Sequence, residues 1–259
     1  MFAYPFAEKL DQMREIAGDF VENRIGSRIA RSDLSAPVLP EIPEEKVWYK
    51  VPLAEGISGD GSEYYIYLKK GTTNRLCIFF SGGGVAWDDY TAERPVTGGA
   101  VAAGKSNFYW NNLRPFTQIM NITAGITETG RSWNPFDSWS FIVVTYATGD
   151  FHVGSRDHSY TGEKGQEETV HFQGYRNFCQ AMKVAQEHFP NPRRLLIAGD
   201  SAGAFAVPAL AGEIMDQVYP SCRDVTLLSD SALLLFDEWQ STARDFWGAE
   251  ISQTEKNSS

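Results

Sequence analysis

The sequence of 259 residues has few cysteines, few histidines and a deficit of positive charge. The cysteines are odd in number and widely spaced, at Cys77, Cys179 and Cys222. This arrangement fits neither a disulfide framework nor a zinc site, and it favours a reducing compartment. Lysine and arginine number 23 against 33 acidic residues, so the net charge is −10. An acidic surface argues against nucleic acid and anionic membranes as main partners.

Long apolar runs are also missing, since none approaches the roughly 18 residues that a membrane-spanning helix needs. Hydrophobic residues still make up 42% of the chain, enough to build a sizeable core. Residues 1–11 have no basic start, no apolar stretch of signal-peptide length and no small-residue cleavage site. We therefore expect a globular, cytoplasmic protein.

The amino-terminal part differs in pattern from the rest. Apolar residues at helical spacing predict a helix within residues 6–25, and three prolines mark residues 32–46 as an extended connector. We therefore divide the chain into an amino-terminal segment, 1–46, and one domain, 47–259.

Short apolar runs within the domain predict strands at 47–51, 64–68, 76–80, 141–145, 194–198 and 225–228. The first two flank a turn-rich stretch, which is typical of an antiparallel hairpin. The later runs are unbroken, as in parallel strands buried on both faces, and helical patterns at 175–189 and 202–218 separate them. This order predicts an α/β fold, with a mostly parallel central sheet and helices on both faces.

The strongest chemical signal is Gly199-Asp-Ser201-Ala-Gly203, which matches G-x-S-x-G between a predicted strand and a predicted helix. In a nucleophile elbow, this sharp turn lifts the serine hydroxyl above the sheet. The helix amino terminus then offers N–H groups and a positive dipole end to a developing oxyanion. Alone, the pentapeptide is also compatible with an ordinary strand–turn–helix.

A second signal, Ser81-Gly-Gly-Gly84-Val85, directly follows an earlier strand. α/β-Hydrolases place the other half of the oxyanion hole at this point. A glycine run there can leave backbone N–H groups directed at the substrate, although it is also typical of a flexible loop.

Together with three further stretches, these motifs resemble the pectin acetylesterase family, which includes Notum-type carboxylesterases. The further stretches are Asn134-Pro-Phe-Asp-Ser-Trp with Thr148-Gly-Asp-Phe-His-Val-Gly, His171-Phe-Gln-Gly-Tyr-Arg-Asn, and Leu228-Ser-Asp-Ser-Ala-Leu-Leu-Leu-Phe-Asp.

The resemblance implies an α/β-hydrolase fold and removal of acetyl or longer acyl groups. Ser201 would be the nucleophile. The N–H groups of Gly84, Val85 and Ala202 would form the oxyanion hole. The family commonly has tryptophan where this chain has Val85, so the pocket wall there is expected to differ.

The catalytic base is the missing element. In this fold the triad runs serine, acid, histidine along the chain, but no histidine follows Ser201. The resemblance places the acid and the histidine beyond Ser259, so we expect a domain that is incomplete at its carboxyl end. Within the chain, His152 follows a strand and could reach the serine, with Asp230 as an acid. Both residues could equally serve as loop or turn residues.

Other readings are weaker. Residues 99–106 fit G-x-x-x-x-G-K-[ST], but the segment before them is not the buried strand that a phosphate-binding loop needs.

We predict no metal site, although His152 and His158 lie near two aspartates, and no cofactor. Aromatic residues in the loops could stack on sugar rings or simply form core. Trp87 and Trp133 are our substrate-binding candidates.

Two functions therefore remain from different classes. The first is a serine esterase that removes acetyl or short acyl groups from a carbohydrate, with a small-molecule or glycan ester as its partner. The second is a truncated or non-catalytic hydrolase relative that binds an ester or glycan without turnover.

Overall fold

The computed structural model describes residues 4–29, 35–114 and 120–250. The strands are β1 (Trp48–Ile57), β2 (Glu63–Lys69), β3 (Arg75–Phe80), β4 (Ser140–Val144), β5 (Arg156–Thr161), β6 (Glu167–Phe172), β7 (Arg194–Asp200) and β8 (Asp224–Asp230). The helices are α1 (Tyr4–Ile29), α2 (Asp89–Ala92), α3 (Gly98–Ala102), α4 (Gly174–His188), α5 (Ala202–Glu213) and α6 (Trp239–Ser241). A 3₁₀ turn covers Gly125–Thr127, and π turns cover Ile214–Val218 and Thr242–Phe246. Residues 32–34 of the predicted connector and 251–259 of the predicted domain lie outside the described residues.

A six-stranded sheet with the order β1-β2-β4-β3-β7-β8 organises the domain. Strands β4, β3, β7 and β8 run parallel, whereas β1 pairs antiparallel with β2, and β2 with β4. The predicted hairpin and the predicted mixed α/β fold with a mostly parallel sheet are both confirmed. The hairpin of β5 and β6 forms a separate small sheet, which the sequence did not predict.

The main core lies between the sheet and the two long helices that follow parallel strands. In α4 the buried residues Phe178, Ala181, Met182 and Ala185 recur at helical spacing and pack against the sheet. Helix α5 is apolar around most of its circumference, and four of its buried residues, Ala206, Val207, Leu210 and Ala211, join the same cluster.

Both helices cover one face, because right-handed crossovers that advance in one direction place their helices on the same side. Among the described residues, the opposite face is covered mainly by the segment 120–139, through Ile122, Phe136 and Trp139. In the described residues, this second face is therefore covered by a largely irregular segment.

Helix α1 contributes little to this core. Its predicted apolar positions Leu10, Met13, Ile16 and Phe20 are between 40% and 71% exposed. Polar contacts hold the helix instead: carboxylates of α1 accept the first N–H groups of α3, which have no partner within that short helix. No described helix is long and apolar enough to cross a membrane.

Strand β8 forms one edge of the described sheet, with β7 as its pairing partner. Its side chains are mostly exposed on both faces: Leu227 is 49% exposed and Leu228, which points the other way, is 42% exposed. The edge beside the predicted nucleophile is therefore apolar and uncovered in the part of the chain that the structure describes.

Candidate active site

Ser201 occupies the turn between β7 and α5 with φ 48° and ψ −119°. A residue that carries a Cβ adopts this conformation only at a cost, so the surrounding fold must enforce it. The Ser201 N–H donates to the carbonyl of Asp230 at 3.0 Å, which ties the turn to the end of β8. The serine side chain itself is exposed at the amino end of α5.

The two glycines of the motif make this turn possible. A Cβ on Gly199 would overlap the carbonyl oxygen of Gly203, and a Cβ on Gly203 would overlap that of Phe80. The strand, the turn and the first turn of the helix thus approach more closely than any side chain allows. This close approach is the physical reason for glycine at both positions of G-x-S-x-G.

The glycine loop, residues 81–85, leaves the end of β3 and passes directly beside Ser201. A Cβ on Gly82 would lie 2.6 Å from the carbonyl oxygen of Asp200 and 2.7 Å from the Cβ of Ser201. Gly84 has φ +81°, and a Cβ there would overlap the carbonyl oxygen of Phe108. The structure therefore brings the two motifs together.

The predicted oxyanion donors differ in their hydrogen bonding. The N–H of Val85 donates to the carbonyl of Phe108 at 3.1 Å. Within the described ranges, the N–H groups of Gly84 and Ala202 donate to no protein acceptor. Ala202 is the first residue of α5, where the helix dipole favours negative charge. Gly84 and Ala202 are therefore the donors that are free to bind an oxyanion.

His152 is bound to the start of the glycine loop. Its ring is buried between Phe80 and Tyr146, with centroids 5.2 and 4.8 Å away. Nε2 lies 2.9 Å from the carbonyl oxygen of Ser81 and donates to it. Burial lowers the pKa of His152 to about 4, so the imidazole is neutral at pH 7.

The remaining histidines have other contacts. His158 bonds Asp89 at 2.7 Å, His171 bonds Asp157 at 2.8 Å, and His188 lies against Phe189. All four histidines lie in the described ranges, and none of them is hydrogen-bonded to Ser201.

Asp230 ends β8 next to the serine turn. Its backbone carbonyl binds Ser201, whereas its carboxylate accepts the hydroxyl of Ser231 at 3.1 Å. The catalytic roles of His152 and Asp230 stay predictions.

The sequence analysis gave no role at the serine site to two of its carboxylates. Asp200, the second residue of the elbow motif, accepts the N–H of Gly82 at 3.0 Å, and burial raises its pKa. Asp150 is fully buried and accepts three donors, from Thr148, His152 and Gly174. Burial also raises the pKa of Asp150. An aspartate inside each motif was the available signal.

The two substrate-binding candidates lie in different places. Trp87 follows the glycine loop, is 39% exposed, and packs edge-on against Phe108 at 5.3 Å. Trp133 is 68% exposed on the segment that enters the amino end of β4, whereas Ser201 follows the carboxyl end of β7. Their contact with substrate stays a prediction.

The phosphate-loop pattern does not form a phosphate-binding loop. Residues 98–102 form α3, and Nζ of Lys105 is paired with a carboxylate oxygen of Glu15 at 2.5 Å. No strand precedes α3 in the way that such a loop requires. In the residues that the structure describes, no group of three or more His, Cys, Asp or Glu side chains could hold a metal ion.

Comparison with known proteins adds a family and a fold. The model of the family described as pectinacetylesterase matches residues 54–254. A search of curated proteins found no match. Two crystal forms of the Wnt deacylase Notum from Drosophila match with TM-scores of 0.52 and 0.53 at 15% identity, over 78% of this chain. They share the fold, and the chain spans 61% and 60% of their lengths. Because this family model matches more than half of the chain, the chain belongs to the pectinacetylesterase family.

Proposed function

We propose that this chain hydrolyses an acyl ester, with an acetyl or other short acyl group on a carbohydrate, through an acyl-serine at Ser201. The observation that carries the proposal is the backbone of Ser201, held at φ 48° and ψ −119° with its side chain exposed. Such a conformation costs about 1–3 kcal/mol and persists where it serves a site. Ester chemistry is supported by the family's name and by the deacylase among the matched structures.

In the proposed reaction, Oγ of Ser201 adds to the ester carbonyl carbon while a base takes its proton. The N–H groups of Gly84 and Ala202 bind the oxyanion, and Val85 joins them if its bond to Phe108 opens. The ester C–O bond then breaks, the alcohol leaves with the proton, and water hydrolyses the acyl-serine. Loss of one such donor typically lowers kcat by about 10²–10³.

Whether this chain hydrolyses its ester depends on a catalytic base for the Ser201 hydroxyl. His152 is the candidate within the chain, with Asp230 as the supporting acid, but its Nε2 is engaged as a donor to the carbonyl of Ser81. A second candidate function rests on this observation: the chain binds the ester without turnover, because a serine hydroxyl without a base is a poor nucleophile.

A carbohydrate alcohol part is supported by the family's name and by the loop next to the site. Trp87 presents an exposed indole two residues beyond Val85. Aromatic faces of this kind can bind the apolar face of a sugar ring.

The test is hydrolysis of p-nitrophenyl acetate by the wild type and by Ser201→Ala, each with and without added imidazole. Ser201-dependent turnover without imidazole would mean that a base lies within the chain. Ser201-dependent turnover only with imidazole would mean that the nucleophile and the oxyanion donors are built but lack a base. The alanine variant measures the hydrolysis that imidazole causes by itself.

The absence of Ser201-dependent hydrolysis in a folded protein would contradict the esterase proposal. Binding of an acetylated pectin oligosaccharide under those conditions, measured by calorimetry, would then support the second candidate. Release of acetate from the same oligosaccharide would identify the carbohydrate ester as a substrate.

A further inference from the structure

The glycine loop has little of its own to fix its position. Three of its five residues, Gly82 to Gly84, have no side chain, and the close contacts at each of them exclude one. Its distance from Ser201 therefore depends on the bonds that other parts of the fold make to its backbone.

Two side chains bind the same peptide group of this loop. The carboxylate of Asp200 accepts the N–H of Gly82 at 3.0 Å. Nε2 of His152 donates to the carbonyl of Ser81 at 2.9 Å. Because this peptide bond is trans, its C=O and N–H point in opposite directions, so the two side chains hold it from opposite sides. Rotation of the peptide plane would break both bonds.

Asp200 connects the loop directly to the nucleophile turn. It immediately precedes Ser201, so one side chain fixes the glycine loop relative to the residue that carries the hydroxyl.

His152 is itself held in a fixed place. Phe151 and His152 have φ of +53° and +65°, a region that residues with a Cβ rarely adopt. The buried carboxylate of Asp150 secures this turn: one oxygen accepts the hydroxyl of Thr148 at 2.6 Å and the N–H of His152 at 3.1 Å. The other accepts the N–H of Gly174 at 2.8 Å. The hydrogen bonds of Asp150 thus hold the backbone that directs the imidazole of His152 toward the carbonyl of Ser81.

We propose that Asp200 and His152 are positioning residues, which clamp the Ser81–Gly82 peptide so that the oxyanion donors of the glycine loop stay aligned with Ser201. The inference rests on the proposed function, because the alignment matters only if an oxyanion forms there. It assigns His152 to the loop rather than to the proton of Ser201.

The first test is the rate at which a fluorophosphonate labels Ser201, separated into reagent affinity and covalent rate. In this reaction Oγ bonds to phosphorus, fluoride leaves, and the serine proton passes to solvent. Asp200→Ala should lower the covalent rate about tenfold or more, with reagent affinity within twofold, because a small misplacement costs rate rather than binding. Asp200→Asn keeps an acceptor oxygen and should stay within threefold. Asp216→Ala, at an exposed acid of the π turn, is the matched control.

The second test separates the two roles of His152. His152→Gln keeps an N–H donor for Ser81, whereas His152→Phe keeps the packed ring without it. A positioning role predicts faster labelling in the glutamine variant than in the phenylalanine variant. If labelling of both variants falls equally, to the level of Ser201→Ala, His152 is the base, and its assignment as a positioning residue is overturned.

Amide hydrogen exchange gives a readout that needs no reactivity. Asp200→Ala should raise exchange at residues 80–86 at least tenfold and leave β4 unchanged, with Asp200→Asn close to the wild type. Unchanged exchange, or an unchanged covalent rate in Asp200→Ala, would overturn the clamp. If the wild type is not labelled at all, the proposed function fails, and the exchange data still decide whether the clamp exists.

Discussion

Gly203 lies so close to the carbonyl oxygen of Phe80 that a Cβ atom at this position would overlap it. The first turn of α5 therefore sits directly on the end of β3, where the glycine loop begins. This contact fixes the height of the nucleophile turn above the sheet. It also explains why the last glycine of the motif, Gly203, cannot carry a side chain without a shift of the backbone.

Gly203→Ala should destabilise the fold by about 3 kcal/mol, the upper part of the usual cost of overpacking a close contact. The matched control is Gly212→Ala on the same helix, where nothing lies within 4 Å of the added Cβ. That variant should gain about 0.5–1 kcal/mol from helix propensity. Urea unfolding measures both, and equal effects of the two substitutions would contradict the steric account.

Ser201→Gly should be more stable than Ser201→Ala by about 1 kcal/mol. Glycine relieves a backbone strain of about 1–3 kcal/mol, and part of this gain is offset by the larger entropy of glycine in the unfolded chain. Because neither variant has a hydroxyl, the comparison isolates the backbone. Chemical unfolding of both proteins checks it, and a more stable alanine variant would show that the turn stores no strain.

The sequence predicts the sheet well, because buried parallel strands appear as unbroken apolar runs. It misses the hairpin of β5 and β6, because both strands are rich in polar residues and only Tyr160, Val170 and Phe172 in them are buried. The apolar spacing predicts α1 correctly as a helix, but it does not tell what the apolar side of this helix contacts. Propensity and periodicity report local structure, and the partner of a helix face is a tertiary property.

The candidate site likewise has a part that the sequence predicts and a part that it does not. The elbow is visible in the sequence because its geometry needs glycines at fixed spacing around Ser201. The hydrogen bond between Asp200 and Gly82 joins residues that are 118 positions apart, and no local sequence pattern predicts it. The direction of the His152 ring depends on the left-handed backbone of Phe151 and of His152 itself. Neither residue type favours this conformation, so the sequence does not indicate it.

His152 should make the protein sensitive to acid. Its pKa is lowered from 6.5 to about 4 by burial, so the unfolded state takes up a proton near pH 6.5 and the folded state only near pH 4. The stability that His152 contributes is complete above pH 6.5 and is lost as the pH falls toward 4. The shift corresponds to about 3 kcal/mol over this window.

His152→Gln should remove this dependence. The free energy of unfolding of the variant should fall by about 3 kcal/mol less than that of the wild type between pH 7 and pH 4. Asp150 and Asp200, whose pKa values burial raises, contribute with the opposite sign but are present in both proteins. Parallel loss of stability in the two proteins would mean that His152 is charged in the fold.

The edge at β8, which is uncovered in the part of the chain that the structure describes, should make the protein associate with itself. An unpaired strand presents N–H and C=O groups in a row, and apolar side chains on both faces favour pairing with another chain. Leu227 and Leu228 provide such side chains here. Leu227→Lys places a charge on this edge and should lower the sedimentation-average mass at a given concentration. Leu235→Lys, the same change at an 87% exposed leucine outside the strand, is the control. If both variants reduce association equally, general charge rather than the edge of β8 governs it, because only Leu227 lies where a second strand would pair.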